Sequence, residues 1–214
     1  ALGPAPLISV LAAGPRLIAA ARDGTVNAIA LDDSRVIWRA RLDALPTALA
    51  GTTRDVVAAT EKGTLVSFDA SNGRARWRWH VNADVVGVPA IDDARVYYLA
   101  LDNQLRALDR GNGHQQWKRP LPIRPAFGPL LFDRYLMVAG LTAEVRVHRL
   151  ADGTPTAAVP APDELAAAPL VAPLEQGGHG LILFAAGGRV QLLAPTPAAP
   201  GGRAATAGAG PVKR

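Results

Sequence analysis

Short apolar runs separated by polar turns follow one another along most of the chain. Residues 17–21, 95–101 and 181–186 are nearly continuous runs of β-branched, aromatic and small apolar side chains, which is typical of strands covered on both faces. Asp-Gly, Asn-Gly and Gly-Gly pairs lie between such runs, and they tolerate the positive φ angles of tight hairpins. Helical periodicity is almost absent. The pattern predicts an all-β chain of successive hairpins.

Tryptophan, proline and turn residues all recur with a period near 40. Trp38, Trp77 and Trp117 are 39 and 40 residues apart. Fourteen residues before each tryptophan lies the second residue of a turn, and the series of these turn residues is Gly24, Gly63 and Asn103. Ala143 and Gly187-Gly188 continue the series of turn residues, and Ala157 stands where the next tryptophan would be. Pro89, Pro129 and Pro169 are also 40 residues apart. A shared period in three independent markers predicts a tandem repeat of one structural unit.

Each repeat has the pattern of four short strands, which is typical of a propeller blade or of a solenoid of similar sheets. The middle strands are apolar on both faces, as stacked blades require, so the propeller is favoured. The predicted blades span about 5–43, 44–83, 84–123, 124–163 and 164–195. Two positions of the third strands are expected to be buried: first Val26, Leu65, Leu105, Val145 and Val190, then Ala28, Ser67, Ala107, Val147 and Leu192.

Four segments resemble the quinoprotein-type, or PQQ-like, repeat. Residues 65–77 (LVSFDASNGRARW) and 105–117 (LRALDRGNGHQQW) are the strong copies, residues 26–38 lack the turn glycine, and residues 145–157 lack the tryptophan. The resemblance covers about residues 5–195 and implies that each tryptophan packs on the neighbouring blade. The blade-docking residues are then Trp38, Trp77 and Trp117. The predicted turn glycines are Gly24, Gly63, Gly73, Gly113, Gly153 and Gly188.

The fifth unit has strands near Leu170 and over residues 181–186 and 189–194, but no outer strand with a tryptophan follows. Propellers that this chain resembles have seven or eight blades, so we interpret it as the C-terminal part of a larger ring, with a five-bladed ring as the alternative. The chain opens at Ala1 without Met, and we expect either a removed leader or a longer parent protein. Residues 196–214, rich in Ala, Pro and Gly, are predicted to be a flexible tail.

Candidate chemistry is sparse. The chain has no cysteine, which excludes disulfides, Cys-ligated zinc and a cysteine nucleophile. The histidines lack metal-ligand spacing and are expected on the surface or in loops; they are His80, His114, His148 and His179. Acidic pairs such as Asp92-Asp93 are predicted to form turns. We therefore predict no catalytic residue, no metal ligand and no cofactor, and no apolar run approaches the roughly 20 residues of a membrane span.

Positive charge is the most distinctive surface feature. The net charge of +5 favours loose attraction to anionic surfaces. In an extended strand Arg74, Arg76 and Arg78 point one way, and Trp77 and Trp79 point the other. This candidate basic binding strip has three interpretations: a solvated sheet edge, a docking strip for an anionic protein or membrane surface, and a nucleic-acid site, which is the least favoured.

Two functions follow from the resemblance. The repeats are similar to those of BamB-like periplasmic propellers of outer-membrane assembly and of extracytoplasmic sensor modules, which implies a non-catalytic scaffold for protein partners in the cell envelope. The alternative is a fragment of a PQQ-dependent dehydrogenase. No residue here matches that enzyme's catalytic, calcium-binding or disulfide positions.

Overall fold

The structure is a computed structural model that describes residues 4–175 and 177–193. The predicted tail, 196–214, lies outside the described residues. The strands of the first two sheets are β1 (Leu7–Ala13), β2 (Arg16–Ala21), β3 (Thr25–Ala30), β4 (Val36–Arg41), β5 (Pro46–Gly51), β6 (Asp55–Thr60), β7 (Thr64–Asp69) and β8 (Ala75–His80). The strands of the next two are β9 (Val85–Ile91), β10 (Arg95–Ala100), β11 (Gln104–Asp109), β12 (Gln115–Pro120), β13 (Leu130–Phe132), β14 (Tyr135–Ala139), β15 (Glu144–Arg149) and β16 (Pro155–Pro160). The fifth sheet contains β17 (Leu170–Pro173), β18 (His179–Phe184) and β19 (Val190–Leu193), with a short 3-10 turn at Ala186–Gly188.

Every sheet is an antiparallel meander whose strands pair in chain order. The first four sheets have four strands each, β1–β4, β5–β8, β9–β12 and β13–β16. The fifth has three strands, β17–β19, within the described residues. Sequential hairpins of this kind follow from tight turns, because two or three turn residues can join only adjacent antiparallel strands.

Four separate hydrophobic clusters join consecutive sheets face to face. Each cluster draws its buried side chains from two neighbouring sheets, and no such cluster joins the fifth sheet to the first in the described part of the chain. The first strands β1, β5, β9 and β13 contact one another in that order, so they are the innermost strands. We call the packed interface between two consecutive sheets a seam. From the first seam to the fourth, examples of side chains that meet from its two sides are Ile18 and Val56, Leu65 and Tyr98, Leu105 and Leu136, and Val145 and Leu183.

This arrangement is an all-β propeller architecture, and the predicted fold class is confirmed. The second strands are the most deeply covered, since every residue of β6 is buried. In the second, third and fourth sheets, apolar side chains on both faces of the second strand contact a neighbouring sheet, which is the physical reason for uninterrupted apolar runs in such strands.

The third-strand core prediction is correct for four sheets and wrong for the fifth. Val26, Leu65, Leu105 and Val145 are all 0% exposed, whereas Val190 is 65% exposed. The second predicted position behaves in the same way, because Leu192 is 55% exposed. These side chains lie on the face of the fifth sheet that has no neighbouring sheet among the described residues. The repeat pattern predicts which face a side chain occupies, but not whether another sheet covers it.

Two turn glycines with similar φ angles provide a test of sheet stacking. Gly113 and Gly188 have φ angles of 75° and 79°. A Cβ atom at Gly113 would lie 2.7 Å from Cδ2 of Trp77, whereas a Cβ at Gly188 would meet no atom within 4 Å. We expect Gly188→Ala to lower the free energy of unfolding by about 1 kcal/mol through backbone strain alone.

Gly113→Ala adds displacement of a buried indole, and we expect a loss of about 2–4 kcal/mol. Urea unfolding followed by tryptophan fluorescence measures both losses. Equal losses for the two variants would contradict the packing of Trp77 on this turn.

Candidate functional site

The predicted docking tryptophans occupy one repeated place in the fold. Trp38, Trp77 and Trp117 lie on the last strands of the first three sheets, and their exposed fractions are 7%, 7% and 9%. In register they face Ala28, Ser67 and Ala107 of the adjacent third strands. Small partners at these positions leave room for an indole that turns away from its own sheet.

A β-bulge precedes each tryptophan. The register of β3–β4 shifts between Ala28 and Ile29, which leaves Ile37 as the extra residue just before Trp38. The same shift recurs in β7–β8 at Arg76 and in β11–β12 at Gln116. A bulge increases the local twist and redirects the next side chain. The bulge therefore aims the indole at the neighbouring sheet, and the sequence pattern gave no sign of it.

Each indole lies on a turn of the following sheet. Gly73, Gly113 and Gly153 occupy the turns between third and fourth strands, with φ angles of 70°, 75° and 72°. A Cβ atom there would come within 2.6–2.7 Å of the ring of Trp38, Trp77 and Trp117, respectively. Glycine is thus required twice at these turns, for the left-handed backbone and for the close approach of the ring. The remaining predicted turn glycines, Gly24, Gly63 and Gly188, also have positive φ.

Two of the three indoles also form a hydrogen bond to the next sheet. The Nε1 of Trp38 donates to the carbonyl oxygen of Ala70 at 2.9 Å, and that of Trp77 donates to Arg110 at 2.8 Å. The Nε1 of Trp117 is buried and has no acceptor within the described residues. All three indoles therefore pack on a turn of the next sheet, but only those of Trp38 and Trp77 also donate a hydrogen bond to it.

Replacement of the indoles by phenyl rings separates these two contributions. Trp77→Phe leaves the buried carbonyl of Arg110 without its donor, whereas Trp117→Phe removes a donor for which the described part of the chain offers no acceptor. We expect Trp77→Phe to lower the free energy of unfolding by about 1 kcal/mol more than Trp117→Phe. Parallel denaturant titrations measure the difference, and a larger loss for Trp117→Phe would contradict the assignment.

The candidate basic strip is divided by the structure. Arg76 forms ion pairs with Asp55 Oδ1 at 2.9 Å and with Asp69 Oδ2 at 2.5 Å. Hydrogen bonds from the Ser71 hydroxyl and the Arg76 guanidinium hold the pKa of Asp69 well below its usual range. Arg74 lies exposed in the preceding turn, and Arg78 is exposed on β8 with Asp43 at 3.8 Å. Arg76 therefore supports the structure, while Arg74 and Arg78 face solvent.

A buried arginine that the sequence analysis missed links the second and third sheets. The Nε of Arg110 donates to Asp55 Oδ2 at 2.5 Å, its Nη2 to Thr52 Oγ1 at 2.8 Å and its Nη1 to the carbonyl of Asp92 at 2.8 Å. Arg110 occupies the repeat position of Ala70, so a charged residue at an otherwise apolar position was the available signal. Because both charges are buried and hydrogen-bonded, loss of either partner would leave an uncompensated charge in the seam.

One histidine departs from the prediction that all four lie on the surface or in loops. His148 lies on β15 and is 1% exposed. It occupies the same repeat position as the buried Phe68 of the second sheet. Its Nδ1 donates to the carbonyl of Gly153 at 3.0 Å, and Nε2 has no partner among the described residues. The burial lowers the pKa of His148, and the nearby positive charge of Arg146 acts in the same direction.

Because the neutral imidazole is favoured in the folded protein, His148 makes stability depend on pH. The unfolded chain binds a proton near the ordinary pKa of 6.5, so stability is fully present above that pH and is lost as the pH falls below it. We expect His148→Phe to flatten the fall in unfolding free energy between about pH 6.5 and pH 5.

The control is Trp117→Phe, which changes no titratable group and should keep the slope of the parent chain. Denaturant titrations at several pH values measure the slopes. An unchanged slope in His148→Phe would contradict the burial of a neutral imidazole.

The acidic residue Asp92 forms hydrogen bonds to residues of its own turn and of the strand that follows. Asp92 Oδ1 accepts the backbone N–H groups of Ala94 and Arg95, and Oδ2 accepts the hydroxyl of Tyr97. Three or more His, Cys, Asp or Glu side chains do not come together as a metal-binding group anywhere in residues 4–175 and 177–193. In the same residues we found no helix long and apolar enough to cross a membrane.

Comparison with known proteins shows which family this chain belongs to. The sequence family described as outer membrane protein assembly factor BamB matches residues 22–209. The chain belongs to this family. BamB of Bordetella pertussis (strain Tohama I) is 31% identical over 134 residues, which cover 60% of this chain and 34% of that protein. The chain thus spans about a third of the length of this BamB.

Solved structures show the same fold at low sequence identity. The crystal structure of BamB from Moraxella catarrhalis matches with a TM-score of 0.63 and 16% identity over 83% of this chain and 61% of that one. The computationally designed Ika8 protein matches with a TM-score of 0.73 and 15% identity over 87% of this chain and 57% of that one. These likenesses support the propeller fold of this BamB-family chain.

Proposed function

We propose that this BamB-family chain is part of a non-catalytic propeller scaffold that holds protein partners during the assembly of outer-membrane proteins. The observation that carries the proposal is the family match over residues 22–209. The name of the matched relative, outer membrane protein assembly factor, supplies the process and makes the periplasm the proposed location.

The contacts between sheets support a scaffold role. The side chains with distinctive chemistry, Trp38, Trp77 and Arg110, are buried between sheets and hydrogen-bonded to the next or previous one. Their role is therefore proposed to be blade docking. A stack held in this way keeps its exposed loops and outer edges at fixed positions, and rigid scaffolds commonly present binding residues on such segments.

We further propose that additional sheets of the same kind complete the ring. Leu170, Ile182 and Leu192 lie opposite one another in register across the open face of the fifth sheet. Leu170 and Leu192 are more than half exposed, which is costly for an apolar row in water. We propose that the blades of this ring are divided near residues 43, 83, 123 and 163, as the sequence repeat predicts.

A gene deletion tests the function in the parent organism. We expect the deletion to lower the amount of folded β-barrel proteins in the outer membrane, because their assembly would lose a scaffold. Heat-modifiable electrophoretic mobility of these proteins, together with quantitative proteomics of the outer membrane, measures the effect. Restoring the gene is the control and should return both readouts to the parental level.

An unchanged outer membrane in the deletion strain would contradict the proposal. Saturable micromolar binding of pyrroloquinoline quinone and Ca²⁺ to the purified chain, followed by the absorbance of the quinone, would also contradict it. That second result would favour the dehydrogenase alternative.

A further inference from the structure

The charged side chains on the outermost strands of the first three sheets are all basic. Together β4, β8 and β12 contain six Arg or Lys residues and no Asp or Glu. The six are Arg39, Arg41, Arg76, Arg78, Lys118 and Arg119. The chain as a whole has 23 Lys and Arg against 18 Asp and Glu. The rest of the described residues hold 14 basic against 18 acidic side chains, so these three strands give the described part of the chain its positive excess.

Three of these cations occupy the same register position in consecutive sheets. Arg39, Arg78 and Lys118 each follow the docking tryptophan directly and face Asn27, Val66 and Arg106 of the third strands. All three are exposed. We call them the basic row. In the fourth sheet the corresponding residue is Ala158, so the row ends there.

The basic row retains most of its charge for a partner. Arg39 donates Nε to the neutral Asn27 side chain at 2.8 Å, and Arg78 lies 3.8 Å from the exposed Asp43. Lys118 has no carboxylate within 4.0 Å among the described residues, and the neighbouring Arg106 is already paired with Asp102. Arg76, with its two carboxylates, is not part of the row.

Protection of a sheet edge does not account for this pattern. Charges of either sign, and bulges, keep exposed edges from pairing with other chains, and a bulge already precedes each docking tryptophan. Edge protection also requires no common register between sheets. A single sign repeated at one position indicates a partner that extends across several sheets.

The side chains around the row indicate which anionic partner fits. Surfaces that enter a lipid interface combine basic groups with exposed aromatic or aliphatic side chains, and single-stranded nucleic acids stack on exposed aromatic rings. The tryptophan before each cation is buried. Trp79 donates to the Tyr98 hydroxyl at 2.6 Å and is only partly exposed. Ile37 on β4, 39% exposed, is the one large apolar side chain in the outer-strand segments described here that faces solvent. Cations with so few apolar neighbours, two of them forked guanidinium groups, suit carboxylates.

We propose that the basic row binds an extended acidic segment of a partner protein that runs along the outer edges of the first three sheets. This proposal rests on the proposed scaffold function and specifies one surface and one class of partner for it. Carboxylates spaced along a flexible segment can meet one cation on each sheet in turn.

Fluorescence anisotropy with a labelled glutamate-rich peptide of about 20 residues tests the proposal at physiological salt. The 214-residue chain is compared with Arg39→Gln/Arg78→Gln/Lys118→Gln. The control, Arg124→Gln/Arg134→Gln/Arg189→Gln, removes the same charge from three exposed residues that lie outside the strands. We expect the row variant to lose about tenfold in affinity and the control to lose less than about twofold.

Equal losses in the two triple variants would overturn the proposal, because net charge alone would then explain binding. Row-dependent binding to vesicles containing anionic phospholipid, without binding to the peptide, would overturn it in favour of a lipid surface. Thermal unfolding checks that the triple variants fold. If a triple variant does not fold, single replacements of Arg39, Arg78 and Lys118 replace it, and each is expected to lower the affinity for the peptide about twofold. The peptide measurement uses purified chain, so its failure leaves the deletion test of the scaffold function unaffected.

Discussion

The close approach of an indole to a turn that has no Cβ atom is the contact on which the stack of sheets depends. Trp38, Trp77 and Trp117 each reach across a seam, and glycine at the receiving turn lets the ring approach within a distance that any other residue would block. Truncation of a buried tryptophan to alanine typically costs about 3–5 kcal/mol. Since these contacts repeat from sheet to sheet, the fold is stabilised by similar seams and not by one central core.

The seams differ in their polar contacts, and this difference has functional consequences. The seam between the second and third sheets contains the buried Arg110–Asp55 ion pair, whereas the next seam contains a tryptophan donor and a histidine nitrogen that have no partner among the described residues. Polar chemistry inside the stack is therefore used to join sheets. On β4, β8 and β12 the charges that face solvent are of one sign, and we propose that they bind a partner.

The sequence predicted the features that repeat and missed those that occur once. Tryptophan and glycine spacing predicted the sheets and their turns, because each repeat places the same side chain in the same environment. The bulges were missed because an extra residue within an outer strand leaves the apolar pattern of the other strands unchanged. Burial of Arg110 and His148 depends on contacts distant in sequence, and exposure of Val190 depends on which sheet lies beside it.

The most direct test of this account is whether each indole contacts the glycine of the next turn in solution. Nuclear Overhauser effects between the ring protons of Trp38, Trp77 and Trp117 and the Hα protons of Gly73, Gly113 and Gly153 measure that contact. We expect strong effects for all three pairs, because the rings lie within van der Waals distance of these residues. Indole protons that show contacts only within their own sheet would contradict it.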